Sequence, residues 1–250
     1  MVKRSTSAPS PLSPTTWLPD GFVWWRSLLC VLLVAFALLV GIVLLAVWVA
    51  LSGKKPDASD LNWSLVAAQC LFYVPVVSTL LAGLPWAAHA SLAELGLRLP
   101  SRAETIVGLA GGGVMFVVTI ALGALQTTLV HVVPKETVVQ ALGRTHDGPL
   151  LVGFAFLACV LAPFAEELVF RGLLLNALWR YLPFWPAAVL SGLAFAGAHG
   201  EVSAIVPLWG GGMVLAYVYA RTRALTASML AHGAFNAINV VLIVLFHQTS

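Results

Sequence analysis

Long apolar runs without charges, separated by short polar stretches, make up most of the chain. The first of them covers residues 27–51 and is bordered on both sides by basic or tryptophan residues. A helix needs about 20 apolar residues to cross a hydrocarbon core about 30 Å thick, and such border residues anchor its ends at the interfaces. The whole pattern predicts seven spanning helices, at residues 27–51, 63–88, 107–130, from about 149 to beyond 171, 185–199, 205–220 and 225–246.

The composition agrees with this pattern. Hydrophobic residues make up 60% of the chain and charged residues 9%, whereas a soluble domain is about 45–50% apolar and about 25% charged. We therefore predict an all-α, polytopic helix bundle. A net charge of +3, scattered between apolar runs, gives no basic surface for nucleic acid. The cysteines Cys30, Cys70 and Cys159 each lie in an apolar run, where a thiol acts as a small hydrophobic group.

The distribution of basic residues predicts the orientation. Lys and Arg accumulate on the cytoplasmic side of membrane proteins, and a cytoplasmic N-terminus places most of the 13 basic residues there. Residues 1–22 are rich in Ser, Pro and Thr and predict a disordered tail. The cytoplasmic set is Lys3, Arg4, Arg26, Arg98, Arg102, Arg171, Arg180, Arg221 and Arg223, and the opposite set is Lys54, Lys55, Lys135 and Arg144.

Charged residues inside the fourth apolar run are the first candidates for chemistry. Each ionisable group at mid-membrane costs about 2.5–3.5 kcal/mol on insertion scales, so these residues must face inward, lie near an interface or pair. Glu167 and Arg171 are four residues apart and can pair on one helix face. Glu166 points about 100° away from that face and lacks this partner, so its carboxylate is a candidate general base. A purely structural salt bridge at a helix end explains the same residues.

Two later helices carry further polar residues. His199 ends the fifth run, and Phe195 lies one turn earlier on the same face. In the seventh run, His232 and Asn236 are four residues apart and project from one face. Such side chains either join helices by hydrogen bonds or donate to a developing oxyanion. Together with Glu166, they form a complete set of groups for amide hydrolysis.

These residues also carry a family resemblance. The segments EELVFR at 166–171, FAGAH at 195–199 and HGAFN at 232–236 resemble the EExxxR, FxxxH and HxxxN motifs of the CPBP family. This family comprises the CAAX prenyl endopeptidase type 2 and bacteriocin-processing intramembrane proteases. The resemblance predicts a catalytic helical core at residues 148–250, preceded by helices and loops at 23–147 that contribute little beyond hydropathy.

The resemblance implies roles for the motif residues. Glu166 and His199 activate the attacking water, and His232 and Asn236 stabilise the oxyanion. The supporting residues Glu167, Arg171 and Phe195 organise the site, with Phe195 packed beside His199.

The cofactor question has two answers at this stage. Glu166, His199 and His232 are alternative ligands for a zinc ion, since two histidines and a glutamate form a known zinc set. However, no HExxH motif pairs ligands with a base. Residues that would hydrogen-bond to the zinc ligands and orient them are also not recognisable in the sequence. We therefore favour a reaction without a metal.

The predicted function is an intramembrane endopeptidase that acts on a membrane-anchored or prenylated protein or peptide, with no role in nucleic-acid binding. The predicted location is a bacterial cytoplasmic membrane. One alternative is a non-catalytic immunity or scaffold protein that binds a peptide in the same cavity. Another is a small transporter or proton relay, because intramembrane Glu and His residues also mark ion pathways.

Overall fold

A computed structural model describes residues 24–54, 61–133, 142, 145 and 147–247. The predicted tail and most of the loop before residue 147 lie outside these ranges. The described residues contain no strand, and the predicted all-helical architecture is confirmed. The long helices are α1 Trp24–Ser52, α2 Trp63–Ala88, α3 Arg102–Val130, α4 Gly148–Tyr181, α5 Phe184–Ala198, α6 Ile205–Thr222 and α7 Leu225–His247.

Six of these helices are long and apolar enough to cross a membrane. The exception, α5, has 15 residues and is therefore about 22 Å long at about 1.5 Å per residue. The predicted helices match the observed ones, but several observed helices extend into polar sequence. For example, α3 starts five residues before its apolar run, because Ser101 and Glu104 form a capping box that satisfies the first backbone N–H groups.

Close contacts between helices occur at small residues. A β-carbon on Gly112 of α3 would lie 2.7 Å from the carbonyl oxygen of Ala231 in α7. The glycine therefore allows the two backbones to approach closely. The most enclosed of the spanning helices is α6, with 56% of its most apolar stretch buried, compared with 17% for α1. The helices that carry the motifs thus pack around α6, and much of α1 faces outward.

The fourth helix differs from the uniform α-helix that the sequence had suggested. Two π-helical segments interrupt it, at Leu157–Leu161 and Leu168–Leu175. Wider turns change which carbonyls are paired within the helix, and π segments occur frequently at functional sites. Side chains from other helices bond to carbonyls in both segments: Asn236 of α7 donates to Ala158 and Ser191 of α5 donates to Phe170.

We expect Gly112→Ala to destabilise the fold, because the added methyl group would overlap the backbone of α7. Overpacking of this kind costs about 1–3 kcal/mol, against a gain of up to about 1 kcal/mol in helix propensity. The matched control is Gly113→Ala, since a β-carbon there meets no atom of the described structure within 4 Å. Thermal unfolding in detergent is the measurement. Equal stability of Gly112→Ala and Gly113→Ala would contradict this packing.

Candidate active site

A cavity of about 430 Å³ lies between α1, α2, α4 and α5. Two of the predicted catalytic residues, Glu166 and His199, line it. Its walls are mainly apolar, and α2 contributes the polar side chains Gln69 and Tyr73. The cavity therefore brings together a carboxylate, an imidazole, an amide and a phenol in otherwise apolar surroundings.

Glu167 does not reach this cavity and is fully buried behind it. Its Oε1 accepts a hydrogen bond from Arg171 at 2.7 Å and lies 3.2 Å from Nδ1 of His232. Its Oε2 accepts a hydrogen bond from the hydroxyl of Ser228, and Arg171 also donates to the carbonyl of Gly212 at 3.1 Å. The predicted pair of Glu167 and Arg171 is present, and the additional bonds offset the cost of burying both charges.

Phe195 connects this buried pair to the histidines. The guanidinium carbon of Arg171 lies 4.6 Å from the centre of the Phe195 ring, a cation–π contact. The same ring makes edge contacts with His199, at 4.7 Å between centroids, and with His232, at 5.6 Å. The predicted packing of Phe195 beside His199 is therefore observed.

Glu166 has a different environment from Glu167. Its side chain is 18% exposed, and its Oε1 accepts a hydrogen bond from the Tyr73 hydroxyl at 3.2 Å. Its Oε2 accepts no hydrogen bond from the residues that the structure describes and lies 3.8 Å from Nε2 of His232. As expected, Glu166 does not share the ion pair of Glu167 with Arg171. However, α2 supplies the Tyr73 hydroxyl as a partner for one of its oxygens.

The tautomer of His199 follows from its backbone contact. Its Nδ1 lies 2.8 Å from the carbonyl oxygen of Phe195. A carbonyl oxygen only accepts hydrogen bonds, so Nδ1 carries the proton. In the neutral ring, Nε2 is then the acceptor. His199 can therefore accept a hydrogen bond from a water molecule in the cavity.

His232 is almost fully buried, at 3% exposure. Its Nδ1 faces the Glu167 carboxylate, which accepts a hydrogen bond but does not donate one when ionised. Nε2 of His232, on the side of Glu166, is then a donor only when the ring is protonated.

Asn236 is not among the residues that line the cavity. One N–H of its amide donates to the carbonyl of Ala158 at 2.6 Å, within the first π segment of α4. Asn239 donates to Phe235 on its own helix at 2.9 Å. The structure therefore places His232 beside Glu166 but uses the Asn236 amide to hold α4. The predicted oxyanion role of Asn236 remains a prediction.

The alternative zinc ligands do not assemble into a metal site. Across residues 24–54, 61–133 and 147–247, no group of three His, Cys, Asp or Glu side chains has the arrangement needed to hold a metal ion. His199 lines the cavity with Glu166, whereas His232 lies behind them in the buried network. The reaction without a metal stays a prediction.

Three polar residues of the site lay outside the sequence prediction. Ser228 bonds to Glu167, and Tyr73 and Gln69 come from α2. Ser228 lies one helical turn before His232 on α7, so its position on the same face as that motif histidine was a usable signal. Gln69 and Tyr73 are also four residues apart on one helix face, but they are separated from Glu166 by more than 90 residues, so the sequence does not link them to that motif.

The fold is that of a polytopic helical membrane protein, and the three motifs of the site lie in its C-terminal region. Residues 148–238 match the family model for Type II CAAX prenyl endopeptidase Rce1-like proteins. This segment contains all three motifs on which the resemblance rests. The match therefore confirms the resemblance. The first three helices lie outside it.

One relative supports the same assignment. The "Putative membrane peptidase YdiL" of Bacillus subtilis (strain 168) is 26% identical over 94 residues. The similarity covers 38% of this chain and 37% of the relative. No solved structure matches the chain.

We expect Glu167→Gln to destabilise the protein strongly, because it removes one charge of a fully buried pair. Loss of one partner from such a pair costs about 3–5 kcal/mol, since the remaining guanidinium is left uncompensated. The matched control is Glu166→Gln, the same change at a partly exposed neighbour without that ion pair. Thermal unfolding in detergent is the measurement. Equal loss of stability in both variants would contradict the separate roles of the two carboxylates.

Proposed function

We propose that this protein is an intramembrane endopeptidase that hydrolyses a peptide bond of a membrane-associated protein or peptide. The observation that carries the proposal is the contrast between the adjacent carboxylates. Arg171, Ser228 and His232 occupy the oxygens of Glu167. Glu166 lines a cavity together with His199, and its Oε2 accepts no hydrogen bond from the described residues.

The cavity suits a segment of peptide in size and character. Its volume of about 430 Å³ lies within the range of about 300–1,000 Å³ that is common for ligand pockets. Apolar side chains such as Leu38, Phe72 and Val76 form much of its wall. An apolar peptide from the bilayer can therefore leave the lipid without losing apolar contacts, while its peptide groups meet the polar residues.

In the proposed reaction, water is the nucleophile. The Glu166 carboxylate removes a proton from the water, and Nε2 of His199 accepts a hydrogen bond that orients it. The water oxygen forms a bond to the carbonyl carbon of the substrate, and the carbonyl oxygen becomes an oxyanion. Glu166 then gives its proton to the leaving nitrogen as the carbon–nitrogen bond breaks. The first products are a carboxylic acid and an amine. Proton transfer from the acid to the amine then gives a carboxylate and an ammonium group, so all atoms and charges are accounted for.

His232 is the proposed stabiliser of the oxyanion. In its protonated form, Nε2 donates a hydrogen bond towards the side of the cavity where Glu166 lies, while Nδ1 donates to Glu167. A donor of this kind is worth a factor of about 10²–10³ in rate. Asn236 has a second amide hydrogen besides the one that bonds to Ala158, and we assign it the supporting donor role.

The family match supports a membrane-associated substrate. Membrane-anchored and prenylated proteins or peptides remain the proposed classes. The apolar helices support an integral membrane location, and we propose the bacterial cytoplasmic membrane with a cytoplasmic N-terminus.

We expect Glu166→Gln to abolish cleavage in cells, because loss of the general base costs about 10²–10⁴-fold in rate. Mass spectrometry of membrane-protein termini would compare cells that carry the wild type, Glu166→Gln or Glu94→Gln at equal protein levels. Glu94 is an exposed carboxylate in the connector between α2 and α3, so its variant is the matched control. New termini should appear with the wild type and Glu94→Gln. Identical termini in all three strains would instead favour a non-catalytic binding protein.

We also expect the purified protein to retain full activity in the presence of a metal chelator, because the proposed steps use only side chains and water. The substrate would be a quenched fluorescent peptide that spans the cleavage site found in cells. The chelators EDTA and 1,10-phenanthroline would be tested on protein in proteoliposomes. Loss of cleavage with both chelators, followed by recovery on addition of Zn²⁺, would contradict the proposed mechanism.

A further inference from the structure

The cavity has one wall that the family match does not include. This wall is α2, which lies before residues 148–238. Its residues Gln69 and Tyr73 are four apart and therefore lie on the same helix face, and both line the cavity. Two adjacent polar side chains on an apolar helix, both directed to the cavity that contains Glu166, indicate a function for this face.

Tyr73 acts on Glu166. Its hydroxyl donates to Oε1 of Glu166 at 3.2 Å, across a gap between α2 and α4. The Tyr73 ring is itself fixed by an edge contact with Phe72, at 5.3 Å between centroids. This hydrogen bond limits rotation of the carboxylate and so sets the orientation of Glu166 beside the cavity. Tyr73 is therefore a positioning residue rather than a catalytic one.

Gln69 has a different environment. Its side chain is half-buried and makes no hydrogen bond to the residues that the structure describes. A side-chain amide carries two donors and an acceptor with two lone pairs, and an amide in apolar surroundings is costly without partners. A ligand that supplies both a donor and an acceptor would satisfy it.

A peptide in an extended conformation is such a ligand. A membrane-spanning helix must unwind where it is cleaved, because the scissile carbonyl has to be accessible to water. Unwinding frees backbone N–H and C=O groups, each of which costs several kcal/mol in apolar surroundings unless it finds a partner. The Gln69 amide matches one freed peptide group with a donor and an acceptor.

We propose that α2 forms the peptide-binding wall of the cavity, in which Gln69 pairs with a peptide group next to the scissile bond and Tyr73 holds Glu166 in position. This inference rests on the proposed peptidase function and extends it to a helix outside the family match. It also defines the substrate class chemically, as a locally unwound apolar segment that presents free backbone groups to α2.

The test is steady-state cleavage by purified variants in proteoliposomes, with a quenched peptide that spans the cleavage site found in cells. Tyr73→Phe should lower kcat by about 10- to 100-fold with KM unchanged, the effect of one lost hydrogen bond to a charged group. Gln69→Leu should raise KM by about 2- to 10-fold, the effect of a lost neutral hydrogen bond. Gln69→Asn should restore part of that loss.

Ser78→Ala is the matched control on the same helix, because Ser78 is exposed and bonds to the carbonyl of Val74 in its own helix. Its kcat and KM should equal those of the wild type. If Glu166→Gln is inactive while Tyr73→Phe and Gln69→Leu both behave as the wild type, the role of α2 is wrong and the peptidase proposal stands. If Glu166→Gln cleaves as fast as the wild type, both proposals fail.

Discussion

Burial of a charged pair within an apolar helix bundle is the constraint on which the site depends. Glu167 and Arg171 are both fully buried, and an uncompensated charge at that depth would be too costly to keep. Besides their mutual ion pair, Glu167 contacts the hydroxyl of Ser228 and the imidazole of His232, and Arg171 donates to the carbonyl of Gly212. These partners come from α6 and α7, so the network also holds the motif helices at fixed distances from one another.

The same network explains how two adjacent glutamates have different roles. Glu167 points into the bundle and is occupied by its partners, whereas Glu166 lines a cavity and has one oxygen that accepts no hydrogen bond from the described residues. The π segments on either side of this pair contribute to the arrangement. Their carbonyls bond to Asn236 and Ser191 from neighbouring helices, and these bonds fix α4 against α7 and α5.

Hydropathy and helix periodicity were sufficient for much of this picture. They predicted the helices and the pair of Glu167 and Arg171, because both depend on local sequence. They did not predict the π segments, which depend on carbonyl partners from other helices. They also could not predict the contact between Tyr73 and Glu166. That contact depends on how α2 packs against α4, and no local sequence pattern around Tyr73 indicates that it contacts Glu166.

The central claim is that a peptide is bound and hydrolysed in the cavity between α2, α4 and α5. The most direct measurement is photo-crosslinking, with a photoreactive group next to the bond that is cleaved in the substrate. The account predicts adducts on the cavity walls, at residues such as Phe72, Val76 and Val169. Adducts confined to the separate apolar groove beside Cys159 and Leu230 would contradict it.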